Sequence, residues 1–381
     1  MQRIVIIGAG MAGYLTATEI RKQLPDSHIT LISADDAAYY SKPLLSTGIA
    51  KAKEATDLVM ATSQQMAARL QMTILSHTQV ERIDVETHGV QTATQSIPYD
   101  SCVIATGSTP ISLDSIGPAG DILSVNSLQD YTHFRGAIAT ANDIAIIGSG
   151  LVGVEFAHDI ASGGQAVSVI GIDAYPLQRL VPEPLGRALQ TAMQEELGVI
   201  WYDQTTVSSV TQADNHYHIH HDKGDIIKAD QVLSAVGIQA NIALARQSGL
   251  ATNQGIVVDQ FGRTTEPNIY AVGDCAEVCG LNLHYVPPIR HSAAAIAANC
   301  AGKNATISYP PMPVTLKTPV CPIVACVVRT TQPVQCHISG SGRDLMARYE
   351  DDTGALQGFA LSGEAVQEKM ALVSSVKNWI N

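Results

Sequence analysis

Two glycine clusters of the form GxGxxG are the strongest chemical signal in this sequence. Their members are Gly8, Gly10 and Gly13 in IVIIGAGMAGYLTA (residues 4–17), and Gly148, Gly150 and Gly153 in IAIIGSGLVGVEFA (residues 144–157). Glycine in such a loop lets the backbone approach a pyrophosphate closely, and the helix that follows offers free N–H groups and the positive end of its dipole. Two clusters 140 positions apart therefore predict two dinucleotide sites, one for a redox cofactor and one for a hydride donor.

An acidic residue about 20 positions after such a cluster is expected to accept hydrogen bonds from ribose hydroxyls. Asp35 stands 22 residues after Gly13 and fits this role, with Asp36 as its competitor. In the second unit the expected position is Gly171, and the nearest acid is Asp173. Residues 165–178 contain neither Arg nor Lys, and this lack of a partner for a 2′-phosphate favours NADH over NADPH.

If the first site holds a flavin, its reduced ring needs a positive charge or a helix N-terminus nearby. The Pro-rich start of a helix after Val286 could supply the dipole, and Lys317 could supply the charge. The alternative for Lys317 is an ordinary solvated lysine, since lysine side chains are mostly exposed.

The thiols and histidines suggest no further chemistry. The seven cysteines include no CxxC pair, and none lies between residues 1 and 101, so a dithiol beside the first unit is excluded. We expect Cys275 and Cys279 to be buried structural thiols rather than a redox pair. HYHIHH (residues 216–221) places three histidines on one strand face, but a surface hairpin strand is favoured over a metal site, and no metal is expected.

The elements around these residues predict an α/β fold. Each glycine cluster follows an apolar β-branched run and precedes a helix and a second strand, as in the βαβ unit of a doubly wound parallel sheet. We predict two Rossmann-type dinucleotide-binding domains, the second inserted into the first, and a small α+β C-terminal domain. The predicted boundaries are 1–113 with 245–307, 114–244, and 308–381. Further expected elements are a strand at 73–83, a helix at 287–301 and a helical tail at 363–380.

Composition and charge exclude several classes of protein. With 46% hydrophobic and 15% charged residues, the chain is neither disordered nor a coiled coil. A net charge of −12 argues against a nucleic-acid partner, which requires a basic surface. The first apolar stretch is too short to span a bilayer, and we read no signal peptide. We therefore expect a cytoplasmic protein with no membrane contact.

Together these motifs resemble the two-dinucleotide flavoprotein reductases of the pyridine nucleotide-disulfide oxidoreductase superfamily. The resemblance rests on the two GxGxxG units, IATGSTP (104–110), SAVG (234–237) and NIYAVGDCAE (268–277). Within the superfamily, three stretches are similar to the NADH-dependent rubredoxin reductases, which serve alkane hydroxylation: YSKPLLSTG (40–48), GDCAEVCGLNLHYVPP (273–288) and YPPMPVTLKTPVCPIV (309–324).

The resemblance implies FAD in the first unit, NADH in the second and rubredoxin as the electron acceptor. Ile7, Gly8, Ala9 and Gly10 would hold the FAD pyrophosphate, Asp35 the adenosine ribose, and the Val80 backbone the adenine. Lys42 and Pro43 would lie beside the flavin and its phosphates, and Asp274 beside the ribityl chain. The Val286 backbone and Lys317 would meet the flavin's pyrimidine edge, and Glu155 would lie where the nicotinamide stacks. Gly107 and Gly237 would border the cofactors at their strand ends.

Two departures from the wider superfamily are visible. Thr47 replaces a lysine that many ferredoxin reductases place near flavin N5, and Gly171 replaces the acid that marks NADH. No side chain is expected to act as acid or base, so we name no catalytic residue. The alternatives are an NADH oxidase, a ferredoxin reductase component of an oxygenase, and, in another class, a non-catalytic NADH-sensing flavoprotein. The resemblance also implies a monomer.

The charge is distributed unevenly along the chain. Residues 111–245 carry 5 basic and 15 acidic residues, whereas 1–110 carry 8 and 10, and both 246–307 and 308–381 are neutral. We therefore expect an acidic partner such as rubredoxin to be steered toward the FAD and C-terminal domains. Candidate basic residues there are Lys42, Lys51, Lys53, Arg290 and Lys317.

Overall fold

The computed structural model describes residues 1–118 and 120–380; Asn381, the last residue of the predicted C-terminal domain, lies outside them. Its framework is a pair of parallel five-stranded sheets flanked by helices, with a third, antiparallel sheet near the C-terminus. The predicted α/β fold with two doubly wound units and a small C-terminal α+β domain is confirmed. No described helix is both long enough and apolar enough to cross a bilayer.

The N-terminal part contains most of the first sheet. Its elements are β1 (Arg3–Ile7), α1 (Met11–Gln23), β2 (His28–Ile32), β3 (Tyr39–Tyr40), a 3-10 helix (Lys42–Thr47), α2 (Ala55–Leu58), β4 (Val59–Ala61), α3 (Ser63–Leu70), β5 (Thr73–Leu75), β6 (Val80–Asp84), β7 (Gly89–Thr92), β8 (Ser96–Pro98), β9 (Ser101–Ile104) and β10 (Ser108–Pro110). The strands β1, β2 and β9 are almost entirely buried, as expected for a parallel sheet covered on both faces.

The second unit repeats this plan. Its elements are β11 (Ile122–Leu123), α4 (Leu128–Ile138), β12 (Asp143–Ile147), α5 (Leu151–Ser162), β13 (Ala166–Ile170), α6 (Glu183–Leu197), β14 (Ile200–Tyr202), β15 (Val207–Ala213), β16 (His216–His221), β17 (Ile226–Ala229), β18 (Gln231–Ser234) and β19 (Ile238–Ala240). The parallel sheet has the order β11-β18-β12-β13-β14, and β15-β16-β17 form a separate antiparallel sheet. The returning strand β19 pairs antiparallel with β10.

The chain then returns to the first sheet and ends in the antiparallel one. The remaining elements are α7 (Ala243–Gln247), β20 (Ile256–Val258), β21 (Ile269–Ala271), a 3-10 helix (Gly273–Cys275), β22 (Ala276–Val278), α8 (Val286–Cys300), β23 (Val314–Leu316), β24 (Ile323–Cys326), β25 (Gln335–Ser341), β26 (Asp344–Glu350), β27 (Leu356–Ser362), a 3-10 helix (Gly363–Glu368) and α9 (Lys369–Val373). The first sheet thereby has the order β21-β9-β1-β2-β5, and the C-terminal sheet β23-β24-β27-β26-β25.

One apolar cluster joins three parts of the chain. Leu45 and Ile49, from the loop after β3, pack with α4 and α5 of the second unit and with Leu316 and Ile323 of the C-terminal sheet. Because these groups share one core, burial of apolar surface holds the C-terminal sheet against both units. The segment around residue 317 is therefore fixed close to residues 42–49.

Two predicted elements differ from those observed. The strand expected at 73–83 is two strands, β5 and β6, separated at His77, which has φ +50°. The chain turns there because the N–H groups of His77 and Thr78 donate to the Asp35 and Ser33 carbonyls beyond β2. The expected helical tail at 363–380 ends with α9, because the N–H groups of Trp379 and Ile380 donate to the Tyr309 carbonyl instead. The helix expected at 287–301 is confirmed as α8.

Candidate functional site

The first glycine loop combines crowded and open positions. Gly8 has φ +115°, and a Cβ atom there would lie 2.2 Å from the Ala105 carbonyl oxygen. At Gly13 a Cβ would lie 1.9 Å from the Gly8 carbonyl oxygen. A Cβ at Gly10 would meet no atom within 4 Å. The outer two glycines are therefore required by backbone packing, whereas the space above Gly10 is free for a ligand.

That space is part of a cavity of about 1850 Å³. Eight of the predicted site residues line it: Ile7, Gly8, Ala9, Gly10, Asp35, Lys42, Val80 and Gly107. The cavity runs from the end of β2 past the start of α1 to the turn after β9, where the helix N-terminus favours negative charge. Its length and polarity suit an extended dinucleotide with a pyrophosphate at its centre.

The carboxylate of Asp35 is held in place by its own turn. Asp35 Oδ1 accepts hydrogen bonds from Ser33 Oγ (2.5 Å) and from the backbone N–H of Ala37 (2.9 Å). Its competitor Asp36 also lines the cavity and accepts from the Ala38 N–H. Asp35 keeps its second carboxylate oxygen for a hydroxyl group in the cavity.

Lys42 and Asp274 lie together although 232 positions separate them in the chain. Lys42 Nζ is 3.5 Å from Asp274 Oδ2, and the same oxygen accepts a hydrogen bond from Ser108 Oγ at 2.7 Å. Asp274 reaches this place from the 3-10 helix after β21, which begins at Gly273 with φ +81°. The arrangement offers both donors and acceptors to a polyhydroxylated chain.

Lys317 contacts a second group of site residues. Its Nζ donates to Glu155 Oε2 (2.8 Å), to Ser46 Oγ (3.0 Å) and to the Pro43 carbonyl. Ser46 Oγ also donates to Glu155 Oε2 at 2.6 Å. Glu155 is only 3% exposed. An ion pair with a buried carboxylate thus joins α5, the 3-10 helix at 42–47 and the C-terminal segment, and Lys317 is a partly buried, paired lysine.

Asp159 holds the same segment one helical turn further along α5. Its Oδ2 accepts from the Ile49 N–H (2.7 Å) and its Oδ1 from the Ala50 N–H (3.2 Å). Burial raises the pKa of Asp159, and these two N–H groups lower it in part. Sequence reasoning missed this residue, although its i, i+4 spacing from Glu155 on one helix face was a usable signal.

The second glycine loop repeats the geometry of the first. Gly148 has φ +119°, and a Cβ there would lie 2.4 Å from the Ala235 carbonyl oxygen. At Gly153 a Cβ would lie 2.0 Å from the Gly148 carbonyl oxygen, and at Gly150 it would meet nothing within 4 Å. Gly237, after β18, has φ +118°. The predicted glycines of this unit therefore form a second open loop.

Several cavity residues carried no signal in the sequence. They lie on turns and helices that only the tertiary fold brings together: His77, Asn126, Asn241, Arg246, Asn282 and His284. Two of them brace the walls, since Asn126 Nδ2 donates to the Ser108 carbonyl and Asn241 Nδ2 to the Thr106 carbonyl. Val286 is placed at the first turn of α8 and is half-buried.

The thiols and histidines considered in the sequence analysis do not line the first cavity. Cys275 is buried, as expected, and burial raises its pKa, but Cys279 is exposed, contrary to expectation. Cys279 sits outside the core because it occupies a left-handed turn (φ +49°) after β22. The strand β16 carries the predicted histidines, and His216 Nδ1 is 2.8 Å from Asp230 Oδ1. Over residues 1–118 and 120–380, no group of three His, Cys, Asp or Glu side chains is arranged to hold a metal ion.

Comparison with protein families gives two adjacent matches. Residues 2–298 match the pyridine nucleotide-disulphide oxidoreductase family, and residues 306–376 match the rubredoxin binding C-terminal domain. The second match covers the segment that contributes Lys317.

Individual relatives cover the whole length of the chain. The rubredoxin-NAD(+) reductase of Alcanivorax borkumensis is 38% identical over 377 residues, 98% of each chain. The protein of the same description from Acinetobacter baylyi is 38% identical over 390 residues, 100% of this chain and 99% of its own. Among solved structures, the NADH:rubredoxin oxidoreductase of Clostridium acetobutylicum superposes with a TM-score of 0.83 at 24% identity, covering 99% of this chain and 96% of that one.

Proposed function

This chain belongs to the pyridine nucleotide-disulphide oxidoreductase family and, within it, to the rubredoxin-NAD(+) reductases, and on this basis we propose that it transfers electrons from NADH through FAD to rubredoxin. It is an oxidoreductase with FAD and NADH as cofactors. From the motif resemblance to the NADH-dependent rubredoxin reductases, we propose an alkane hydroxylase as the terminal acceptor.

The residues of the first cavity fit FAD. The open space above Gly10 accommodates a pyrophosphate, and the N-terminus of α1 stabilises its charge. Asp35 would bind the ribose, Val80 would border the adenine, and Lys42 with Asp274 would face the ribityl chain and the phosphates. Bound FAD would supply hydride acceptance and single-electron release. The protein contributes binding, orientation and electrostatics.

The observation that carries the proposal is the set of contacts made by the Lys317 ammonium group. Lys317 belongs to the part of the chain that matches the rubredoxin binding domain, yet its ammonium lies against Pro43, Ser46 and Glu155. One positive charge therefore connects the partner-binding domain with the cofactor site. With FAD bound, Lys317 would stabilise the negative charge that accompanies reduction of the flavin.

The basic residues available to a partner are fewer than the sequence predicts. Lys42 and Lys317 already pair with Asp274 and Glu155, so neither is free to pair with a carboxylate of the partner. Lys51, Lys53 and Arg290 have no carboxylate within 4 Å in the described part of the chain. We propose that these three steer acidic rubredoxin toward the FAD and C-terminal domains and away from the acidic second unit.

The decisive experiment follows reoxidation of the NADH-reduced protein. Stopped-flow mixing with oxidised rubredoxin, ferredoxin or oxygen should give the fastest flavin reoxidation with rubredoxin. The rate should fall with ionic strength and on replacing Lys51, Lys53 and Arg290 by Gln. If rubredoxin is no faster than oxygen, the proposed function is wrong. Fast reaction with oxygen alone would indicate an NADH oxidase, fast reaction with ferredoxin an oxygenase reductase, and no turnover an NADH sensor.

Three further features belong to the same proposal. We divide the chain into an FAD domain (1–113 and 245–307), an NAD domain (114–244) and a C-terminal domain (308–381).

Seven unpaired thiols, five of them buried, support a reducing compartment such as the cytoplasm. We propose that the protein acts as a monomer, since a one-to-one complex with rubredoxin would then suffice.

A further inference from the structure

The two dinucleotide-binding units can be aligned residue by residue through their main-chain hydrogen bonds. In both units the first glycine donates to the last residue of the second strand, and the next two turns bond in the same way. The N–H groups of Gly8 and Gly148 donate to the carbonyls of Ile32 and Ile170, and those of Ser33 and Gly171 to the carbonyls of Leu75 and Tyr202. The N–H groups of Thr78 and Thr205 donate to the carbonyls of Ser33 and Gly171, and those of His77 and Gln204 to the carbonyls of Asp35 and Asp173. All eight N···O distances lie between 2.7 and 3.0 Å. His77 and Gln204 also share a positive φ, +50° and +48°.

This alignment equates Asp173 with Asp35 and Gly171 with Ser33. We propose that Asp173 is the residue of the NAD domain that binds the adenosine ribose and selects NADH over NADPH. The inference rests on the proposed function, since it assumes that the second unit binds the nicotinamide cofactor. The usual fingerprint places the selecting carboxylate at position 171. The proposal places it two residues later, at Asp173.

Position 171 has no room for an acidic side chain. A Cβ atom there would lie 2.2 Å from Ser149 Oγ and 2.8 Å from Ser149 Cβ. The first unit has Ala9 where the second has Ser149, and Ser33 where the second has Gly171. Because the Ser149 side chain fills the space beside Gly171, a carboxylate serving this loop has to come from the following turn.

Asp173 is chemically available. Its carbonyl accepts from Gln204, but its carboxylate has no hydrogen bond or ion pair among the described residues, and the residue is half-buried. Such a carboxylate can accept hydrogen bonds from the neutral ribose hydroxyl groups, which bring no second negative charge to the site. A 2′-phosphate at the same place would meet a like charge, which is unfavourable.

Two of the basic groups near this loop are already engaged. Arg187 is occupied: its guanidinium donates to Asp203 Oδ2 (2.8 Å), the Ala174 carbonyl (2.6 Å) and Gln190. Arg179 is exposed six residues beyond Asp173, and Lys223 donates to the Asp203 carbonyl. Within residues 165–178, Asp173 is the one charged side chain.

The test compares Asp173→Asn with Asp214→Asn, a matched control that removes an exposed acid from the β15–β16 turn of the same unit. NADH and NADPH are mixed with each holoprotein, and flavin reduction is followed by stopped flow without any acceptor. Asp173→Asn should weaken apparent NADH affinity at least tenfold with an unchanged limiting rate, and should shift the NADH-to-NADPH preference at least tenfold toward NADPH. The control should match wild type.

A binding measurement makes the test independent of hydride transfer. Calorimetry on the wild-type holoprotein should show ADP-ribose binding at least tenfold more tightly than its 2′-phosphate, and Asp173→Asn should abolish most of that difference. The assignment fails if Asp173→Asn leaves NADH affinity within twofold of wild type, or if it weakens both nucleotides equally. If wild type itself is not reduced by NADH, the proposed function fails instead, and the calorimetric difference then decides on Asp173 separately.

Discussion

The two dinucleotide-binding units share one backbone plan, but they hold their acidic side chains differently. In the first unit the Asp35 carboxylate is fixed by Ser33 Oγ and the Ala37 N–H, at the wall of a large cavity. In the second, Asp173 has no side-chain partner among the described residues, and its neighbour Ile172 is 64% exposed. A pre-ordered site loses little conformational entropy on binding. The difference therefore matches a cofactor that stays and one that is exchanged in every turnover.

Replacement of the first glycine in each loop should give the largest difference in cofactor binding between the two units. Gly8→Ala and Gly148→Ala each combine a positive φ with a clash against a carbonyl oxygen, so we expect each to lower the free energy of unfolding by about 2–4 kcal/mol. Gly8→Ala should also lose FAD, whereas Gly148→Ala should retain it and lose reduction by NADH. Urea unfolding and flavin absorbance measure both effects.

The middle glycines provide the control for this comparison. A Cβ at Gly10 or Gly150 meets no protein atom within 4 Å, so Gly10→Ala and Gly150→Ala should fold normally while weakening FAD and NADH binding respectively. A large loss of stability in either middle-glycine variant would mean that the loops are shaped by packing alone and not by a ligand.

The next largest effect is expected where the C-terminal segment meets both units, at Lys317 and Glu155. Lys317→Met leaves the buried Glu155 carboxylate without its cation, and should lower stability by about 1–3 kcal/mol. It should also make the reduced flavin less stable, lowering the midpoint potential by about 30 mV or more, which is about 1.4 kcal/mol for a two-electron couple. Spectroelectrochemical titration measures this shift.

A double variant distinguishes charge from packing at this position. Lys317→Met with Glu155→Gln removes both charges of the pair, and should recover most of the stability and bring the midpoint potential back toward that of wild type. An unchanged midpoint potential in the single variant would show that Lys317 does not act on the flavin.

Asp159 gives a smaller, pH-dependent effect on the same contact between units. Burial raises its pKa, so the folded protein binds the proton more tightly than the unfolded chain. The resulting stability is fully present below the ordinary aspartate pKa of about 3.9 and is lost as pH rises through the raised value. The unfolding free energy of wild type minus that of Asp159→Asn should therefore fall from pH 4 upward. A difference that grows with pH would contradict this assignment.

The smallest effect comes from exchanging the side chains that distinguish the two turns. Ser149→Ala with Gly171→Ser gives the second unit the Ala9 and Ser33 arrangement of the first, and places a hydroxyl where it can hold Asp173. We expect NADH to bind about two- to fivefold more tightly, because one side chain is ordered in advance. Gly171→Ser alone should weaken binding, since its Cβ would clash with Ser149. Equal affinities in the two variants would show that ordering of Asp173 is irrelevant.

Local sequence signals predicted the parts of the molecule that local physics determines. The β-branched runs before Gly8 and Gly148 specify buried parallel strands, and the Pro-opened, Ala-rich stretch specifies α8. The fingerprint spacing favoured Asp35 directly. It left Asp173 unassigned, because Gly171 occupies the usual place. Only the main-chain hydrogen bonds from Gln204 and Thr205, after β14, to Asp173 and Gly171 show the equivalence.

Other site features depend on contacts that no local pattern encodes. Lys317 meets Glu155 because the C-terminal sheet packs on the cluster that includes Leu45 and Ile49. His77 reaches the cavity because a break between β5 and β6 turns it there. Such positions are set by tertiary packing, and the residue types involved are ordinary on any surface.

The position of β21 in the first sheet has a consequence for how the protein is made. This strand, residues 269–271, lies beside β9, which ends at residue 104. The ribosome must therefore synthesise the entire inserted unit before the first sheet can be completed. Domains tend to fold as units during synthesis, and pairing between distant strands is slow. The second unit should thus fold first on the nascent chain, leaving an unpaired sheet edge at β9 until β21 has been synthesised.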